Sequence, residues 1–301
     1  LEIEDALLSG KDFYGAEFDL EKAFDRLPHD VMIKLAEYMG VSERITKPLY
    51  SVMRGLQRRF KYAGGAVGSS FTSANGILQG CPLSVILLNM VMHVWITAVR
   101  EETAARPTAY ADDAGLRADS VQELNKGVQV TAEFQSDIDM TLNAKKSFTW
   151  ATTTKARLEL QAVKLDGKVM NTEDNARNLG AHLSFNRSFK SGSVKDRAET
   201  AAKEAGRIRN APLGFQAKGE LAATKTITKA IFGGQVTKLP ASTVKTVRGA
   251  VMTAVWGSKR KWRATEIVLS VFTPGHRTDV VHALSALRLN SFRRMMLEQP
   301  Q

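Results

Sequence analysis

Two acidic stretches decide how this chain is read: Phe18-Asp19-Leu20-Glu21-Lys22-Ala23-Phe24-Asp25 and, later, Tyr110-Ala111-Asp112-Asp113. Residues 13–20 alternate loosely between apolar and other side chains and predict a strand, with Asp19 near its end. A carboxylate in a buried strand is costly unless something compensates it, and a cation does. Mg²⁺ takes one or two carboxylates together with substrate phosphates and water. Taken alone, Asp19 reads equally as a cap on the following turn. The second stretch predicts a hairpin over residues 108–118 with Asp112-Asp113 at its tip. Adjacent carboxylates repel and are stable together when cations are near. Two divalent ions about 3.5–4 Å apart supply that charge and clamp the attacking and leaving oxygens of a phosphoryl transfer. A lone Asp-Asp pair is more often turn chemistry. The apolar flanks and the upstream Asp19 move this one toward catalysis.

Three further segments have an ordinary reading beside a functional one. In Gly76-Ile77-Leu78-Gln79-Gly80-Cys81-Pro82-Leu83-Ser84, Gly80 permits close backbone approach and Pro82 opens a helix. Such a turn can face a nucleotide or a template backbone; alone it is a helix start. In Leu142-Asn143-Ala144-Lys145-Lys146-Ser147 a lysine can protonate a leaving pyrophosphate or steady a triphosphate, or simply be a surface lysine. Asn178-Leu179-Gly180-Ala181 reads as a strand entry.

Around these segments the pattern predicts helices over 29–39 and 42–57, short strands over 58–62 and 70–73, and a long apolar helix over 82–99. A helix over 120–139 follows, opened by a Ser120/Glu123 capping box. Strands are expected over 147–151, 158–165, 168–170 and 179–184, with Asp166-Gly167 as a hairpin turn. From about residue 194 the pattern is helical. This order predicts an α+β domain over 1–190 and a helical basic region over 191–301.

The 301 residues are 44% hydrophobic, enough for a sizeable core. The one cysteine, Cys81, excludes a disulfide framework and any zinc site built on several thiolates. No apolar run reaches membrane-spanning length, so neither a span nor a membrane partner is expected; no signal peptide precedes the first motif. The chain begins at Leu1 rather than Met, and a piece of a longer protein is expected. Net charge is +11, unevenly spread: residues 1–150 hold 16 Lys/Arg against 20 Asp/Glu (−4), and residues 151–301 hold 26 against 11 (+15). A basic half is the footprint of a nucleic-acid partner, or else a solvated helical surface.

In order along the chain, these segments resemble motifs A to E of the reverse transcriptases. Phe-Asp-Leu-Glu-Lys-Ala-Phe-Asp resembles motif A, Leu-Gln-Gly-Cys-Pro-Leu-Ser motif B, Tyr-Ala-Asp-Asp motif C, Leu-Asn-Ala-Lys-Lys-Ser motif D and Asn-Leu-Gly-Ala motif E. Gln-Gly-Cys-Pro-Leu-Ser and Leu-Asn-x-x-Lys-Ser lean toward the non-LTR retrotransposon enzymes; group II intron enzymes share Tyr-Ala-Asp-Asp. The resemblance covers about residues 13–185. It implies a right-hand palm of antiparallel sheet and packed helices, then a helical thumb-like region, with most of the fingers missing.

The activity implied is RNA-directed DNA polymerisation on an RNA template with a DNA primer, dNTPs and two Mg²⁺ ions, Mn²⁺ being possible. Asp19, Asp112 and Asp113 would hold the metals, with Lys146 as the motif D lysine and Lys145 its alternative. Phe24 would be the steric gate against a ribose 2′-OH. Gln79, Gly80 and Tyr110 would contact nucleotide and template, and Leu179 and Gly180 would form the primer grip. Arg207, Arg209, Lys218, Lys225 and Lys229 would meet duplex phosphates. An intracellular location, nucleus or cytoplasm, follows from the family's life cycle. The competing readings are a remnant that binds RNA without copying it and an RNA-dependent RNA polymerase. Phe24 and Tyr110-Ala111 argue against the latter.

Overall fold

The computed structural model describes residues 2–65, 67–78, 80–178, 181–187, 192–257, 264–273 and 275–298. The chain divides into two compact units, Leu1–Asp174 and Asn175–Gln301.

The first unit contains α1 (Glu2–Ser9), β1 (Tyr14–Asp19), α2 (Ala23–Arg26), α3 (His29–Tyr38), α4 (Glu43–Gly55), α5 (Pro82–Glu102), β2 (Arg106–Tyr110), β3 (Asp113–Ala118), α6 (Val121–Asp137), β4 (Phe148–Ala151), α7 (Thr154–Glu159) and the short β5 (Lys164–Leu165), β6 (Lys168–Val169) and β7 (Asn171–Thr172). Its main sheet has the order β2-β3-β1-β4-β7. The first four strands pair antiparallel, and β7 joins β4 in parallel. Alternation along β1 sends Tyr14, Ala16 and Phe18 into the core and leaves Gly15, Glu17 and Asp19 on the other face. The core side is closed by α5 and α6, through Leu88, Trp95 and Val99 from one and Leu124 and Val128 from the other. Gly127 lets α6 lie close to the sheet, since a Cβ there would meet a Leu116 methyl at 2.9 Å.

Helix α5 is long and apolar enough to cross a membrane by composition, yet its Leu87, Leu88, Val91, Trp95 and Val99 are buried in this core. Cys81 precedes it and Pro82 occupies its first turn. At α6 the expected capping box is half formed. Ser120 Oγ accepts from Glu123 N, while the Glu123 carboxylate accepts from Ala104 N instead of turning back to Ser120.

The expected strand over 158–165 is mostly helix. Thr153 Oγ1 caps α7 by accepting from Ala156 N, and Ala156, Leu160 and Val163 are fully buried at helical spacing. The short strands expected over 58–62 and 70–73 are a hairpin of isolated bridges, Arg58↔Phe71 and Lys61↔Val67.

The second unit begins with the hairpin of β8 (Asn175–Asn178) and β9 (Ala181–Ser184), ahead of the boundary at residue 190 that the sequence pattern predicts. Helices follow: α8 (Gly192–Arg209), α9 (Phe215–Leu221), a π-helical turn at Ala222–Ile227, α10 (Thr228–Ile231), α11 (Ala241–Trp256), α12 (Thr265–Val271), α13 (Gly275–Thr278) and α14 (Val280–Glu298). Val194, Ala198, Ala201, Ala205 and Ile208 form a buried stripe on α8 and share a core with Val247, Val251 and Val255 of α11. Small residues on that stripe let the two backbones approach. The fully buried Asp279 is neutralised by Arg248 at 2.6 Å.

Candidate active site

Strand pairing puts the acids together. In the β1–β3 register Asp19 lies opposite Asp113, and in the β2–β3 register Tyr110 lies opposite Asp113. Directly opposed residues of an antiparallel pair point to the same face, here the face away from the helices. Ala111 and Asp112 make the tight turn between β2 and β3, with Ala111 at φ 53°. Burial raises the Asp113 carboxyl above the ordinary range, and the Asp112 and Asp19 charges raise it further.

Lys146 Nζ lies 3.3 Å from Asp19 Oδ2, so it is Lys146 rather than Lys145 that pairs with Asp19. The strap that holds it was read in the sequence only for its lysines. Asn143 N donates to the Asp19 carbonyl (2.8 Å), Asp19 N donates to Ser147 Oγ (3.1 Å), and Lys146 N and Ser147 N both donate to the Asn143 carbonyl. Asn143 and Ser147 thus fix the end of β1. The signal was present as the Asn and Ser that bracket the lysines.

Phe24 is half-buried in α2 and packs on the core. Its carbonyl accepts from Ile77 N at 2.6 Å, and the Leu27 carbonyl accepts from Gly76 N at 2.8 Å. The segment before Gly80 is therefore laced to the Phe24 turn. Gly76 permits this at φ 87°, since a Cβ there would stand 2.7 Å from the Asp25 carbonyl oxygen. Gly80 is exposed at φ 87° with open space where a side chain would be, and Tyr110 is exposed beside the acids. Gln79, Leu179 and Gly180 lie outside the described residues. In the second unit Arg207, Arg209 and Lys225 are exposed. Lys229 is engaged by the Glu204 carboxylate at 2.8 Å, and Lys218 donates to the Arg209 carbonyl.

Glu17, on the same face as Asp19, was not singled out in the sequence. Gly115 stands opposite it, and a Cβ at 115 would meet Glu17 Oε2 at 2.7 Å. Burial pushes the Glu17 carboxyl up to about 7; a hydrogen bond from Trp150 and the Arg117 guanidinium pull it down, and the Asp113 charge pushes it up again. Between its ordinary 4.5 and about 7 the folded chain keeps a proton that the unfolded chain has released. Stability therefore falls as pH rises through that window, by about 3 kcal/mol in total. Glu17→Gln is expected to flatten this slope. Urea midpoints at pH 5 and pH 8 check it: an equal drop in the native chain and the variant would rule Glu17 out as the cause.

The acid set suits divalent cations. Asp19 and Asp113 sit on paired strand ends and Asp112 lies in the turn just before Asp113, whose carboxyl is raised by burial and then by both acidic neighbours. Among the described residues no group of three or more acidic, His or Cys side chains is placed to hold a metal ion by itself; Mg²⁺ commonly takes only one or two carboxylates, with substrate phosphates and water as its other ligands.

A mostly antiparallel sheet backed by two helices, with acids at the ends of its central strands, is the arrangement expected of a polymerase palm. The reverse transcriptase (RNA-dependent DNA polymerase) model matches residues 3–183, and the chain belongs to that family, whose members use divalent metals. The Pol polyprotein of the type-2 retrotransposable element R2DM of Drosophila melanogaster is 30% identical over 143 residues, 45% of this chain and 13% of that protein. The corresponding polyprotein of element R2 from Popillia japonica is 26% identical over 148 residues, 46% of this chain and 24% of that protein. The match thus spans less than a quarter of either relative. Among solved structures, apo telomerase from Candida tropicalis aligns with 98% of this chain and 53% of its own, at 10% identity and a TM-score of 0.44.

Proposed function

We propose that this chain is the palm and thumb-like part of an RNA-directed DNA polymerase of a non-LTR, R2-like retrotransposon. The observation that carries this reading is the register that sets Asp19 opposite Asp113, together with the Lys146 ammonium against Asp19. In the reaction the primer 3′-oxygen loses its proton and bonds to the α-phosphorus of a dNTP, the bond to the β-phosphate breaks, and pyrophosphate leaves. Asp19, Asp112 and Asp113 would hold two Mg²⁺ ions, or Mn²⁺ in their place. Bound there, the ions supply positive charge to the attacking and leaving oxygens. Lys146 is assigned to donate a proton to the leaving pyrophosphate or to pair with the triphosphate. Gln79, Gly80 and Tyr110 are assigned to nucleotide and template. Leu179 and Gly180 are assigned to the primer, and the exposed Arg207, Arg209 and Lys225 to duplex phosphates, with Lys218 and Lys229 joining them if they leave their present partners.

Primer extension on an RNA template with dNTPs and Mg²⁺ or Mn²⁺ tests the reading. Extension by this chain establishes the polymerase. Its absence here and in a longer chain carrying the same palm would favour an RNA-binding remnant. The Phe24 ring is assigned to exclude the 2′-OH, so Phe24→Ala is expected to raise ribonucleotide use relative to dNTPs by about 10²-fold, since the lost selection is a steric clash worth a few kcal/mol. Unchanged discrimination would return Phe24 to a packing role.

A further inference from the structure

From Arg44 to Arg100 the chain carries seven Lys and Arg and no Asp or Glu. In the middle of that acid-free stretch stands the hairpin of residues 58–71, which begins Arg58-Arg59-Phe60-Lys61-Tyr62. The backbones of Arg58 and Phe71 exchange two hydrogen bonds, of 2.8 and 2.9 Å, and Gly68 N donates to the Phe60 carbonyl. The Phe60 and Phe71 rings stack at 5.1 Å and 24°. The Tyr62 ring lies over Gly68, where a Cβ would sit 3.5 Å from it. Even so, Phe60 is 63% exposed and Tyr62 59%. Among the described residues neither Arg59 nor Lys61 has a carboxylate partner.

One exposed aromatic side chain is ordinary. Three on one hairpin, interleaved with unneutralised cations, need a ligand that offers flat π-faces and negative charge together. Unpaired nucleotides do: their bases stack on aromatic rings and their phosphates meet Lys and Arg. A duplex keeps its base faces stacked on one another, and an apolar protein surface leaves the cations unanswered. The hairpin's base is also tied to the site. Arg58 Nη2 donates to the Gly76 carbonyl at 3.1 Å, and the next residue, Ile77, is bonded to the Phe24 carbonyl.

We infer that the hairpin of residues 58–71 is a stacking platform for unpaired template RNA, with Phe60, Tyr62 and Phe71 taking bases and Arg59 and Lys61 taking phosphates. This deepens the polymerase reading and rests on it for the identity of the strand. The test therefore omits divalent metal and dNTPs, so that failure of polymerisation and failure of the platform are separate results.

Affinity of the full chain is measured by fluorescence anisotropy for a 15-nucleotide oligouridylate and for an abasic ribose-phosphate oligomer of the same length. The Phe60→Ala, Tyr62→Ala double variant is expected to bind the oligouridylate about tenfold more weakly per ring removed and the abasic oligomer unchanged. The Arg59→Ala, Lys61→Ala variant is expected to weaken both and to reduce the salt slope by about 1.4, at about 0.7 per phosphate contact. The Phe60→Leu, Tyr62→Leu variant keeps apolar volume without a π-face and is expected to stay weak. Native-like affinity in the leucine variant would overturn stacking. An unchanged ratio of the two oligomers in the alanine variant would overturn the platform and point to a protein partner for the hairpin.

Discussion

Asp112→Asn with Asp113→Asn is expected to lower primer extension by at least about 10³-fold while the chain stays folded. One preorganised charge-stabilising group is worth about 10²–10³ in rate, and this pair removes two formal charges from one site. The folded structure itself favours the variant. Asp113 carries a carboxyl raised by burial and by its acidic neighbours, so a neutral amide there relieves repulsion. The double variant should therefore melt no lower than the native chain and have less affinity for divalent cations. Calorimetric Mn²⁺ titration beside the extension assay separates the two effects. Loss of extension together with loss of Mn²⁺ binding is the expected pair. Retained extension would take these aspartates out of the metal assignment.

Gly15→Ala is expected to cost about 3 kcal/mol of stability, the upper part of the range for overpacking a core. A Cβ at residue 15 would stand 2.2 Å from two atoms of the Trp150 indole. That ring is fully buried and meets Phe13 edge-on at 5.7 Å. Gly15 and Trp150 are directly paired across β1 and β4, so neither backbone can yield without breaking the sheet that ends in Asp19. Against a total stability of about 5–15 kcal/mol this is a large loss, and denaturant midpoints will show it. Gly15→Ala in a Trp150→Leu background should add much less than it does in the native chain. Simple addition of the two costs would mean that the ring has room to move.

The local chemistry was legible in the sequence wherever its cause is local. Two adjacent aspartates favour a turn, Pro82 favours the first turn of a helix, and Ser120 is a cap; all three follow from backbone and side-chain preferences over a few residues. The α+β order, the five motif segments and the opposite charge of the two halves were readable for the same reason. The strand expected over 158–165 is mostly helix: Leu158, Leu160 and the apolar residues around them satisfy a period of two as well as the helical spacing of Ala156, Leu160 and Val163. Only packing chose between the two.

Other features depend on pairs far apart in the chain. The β1–β3 register brings Asp19 to Asp113, and Asn143 and Ser147 carry Lys146 to Asp19. The Trp150 indole lies over Gly15, and Gly115 makes room for the half-buried Glu17. The β8–β9 hairpin joins the helical unit rather than the sheet. None of these is fixed by local preference. A register is chosen by which faces the whole sheet can bury, and a carboxyl's proton is held or released by neighbours the chain meets only on folding.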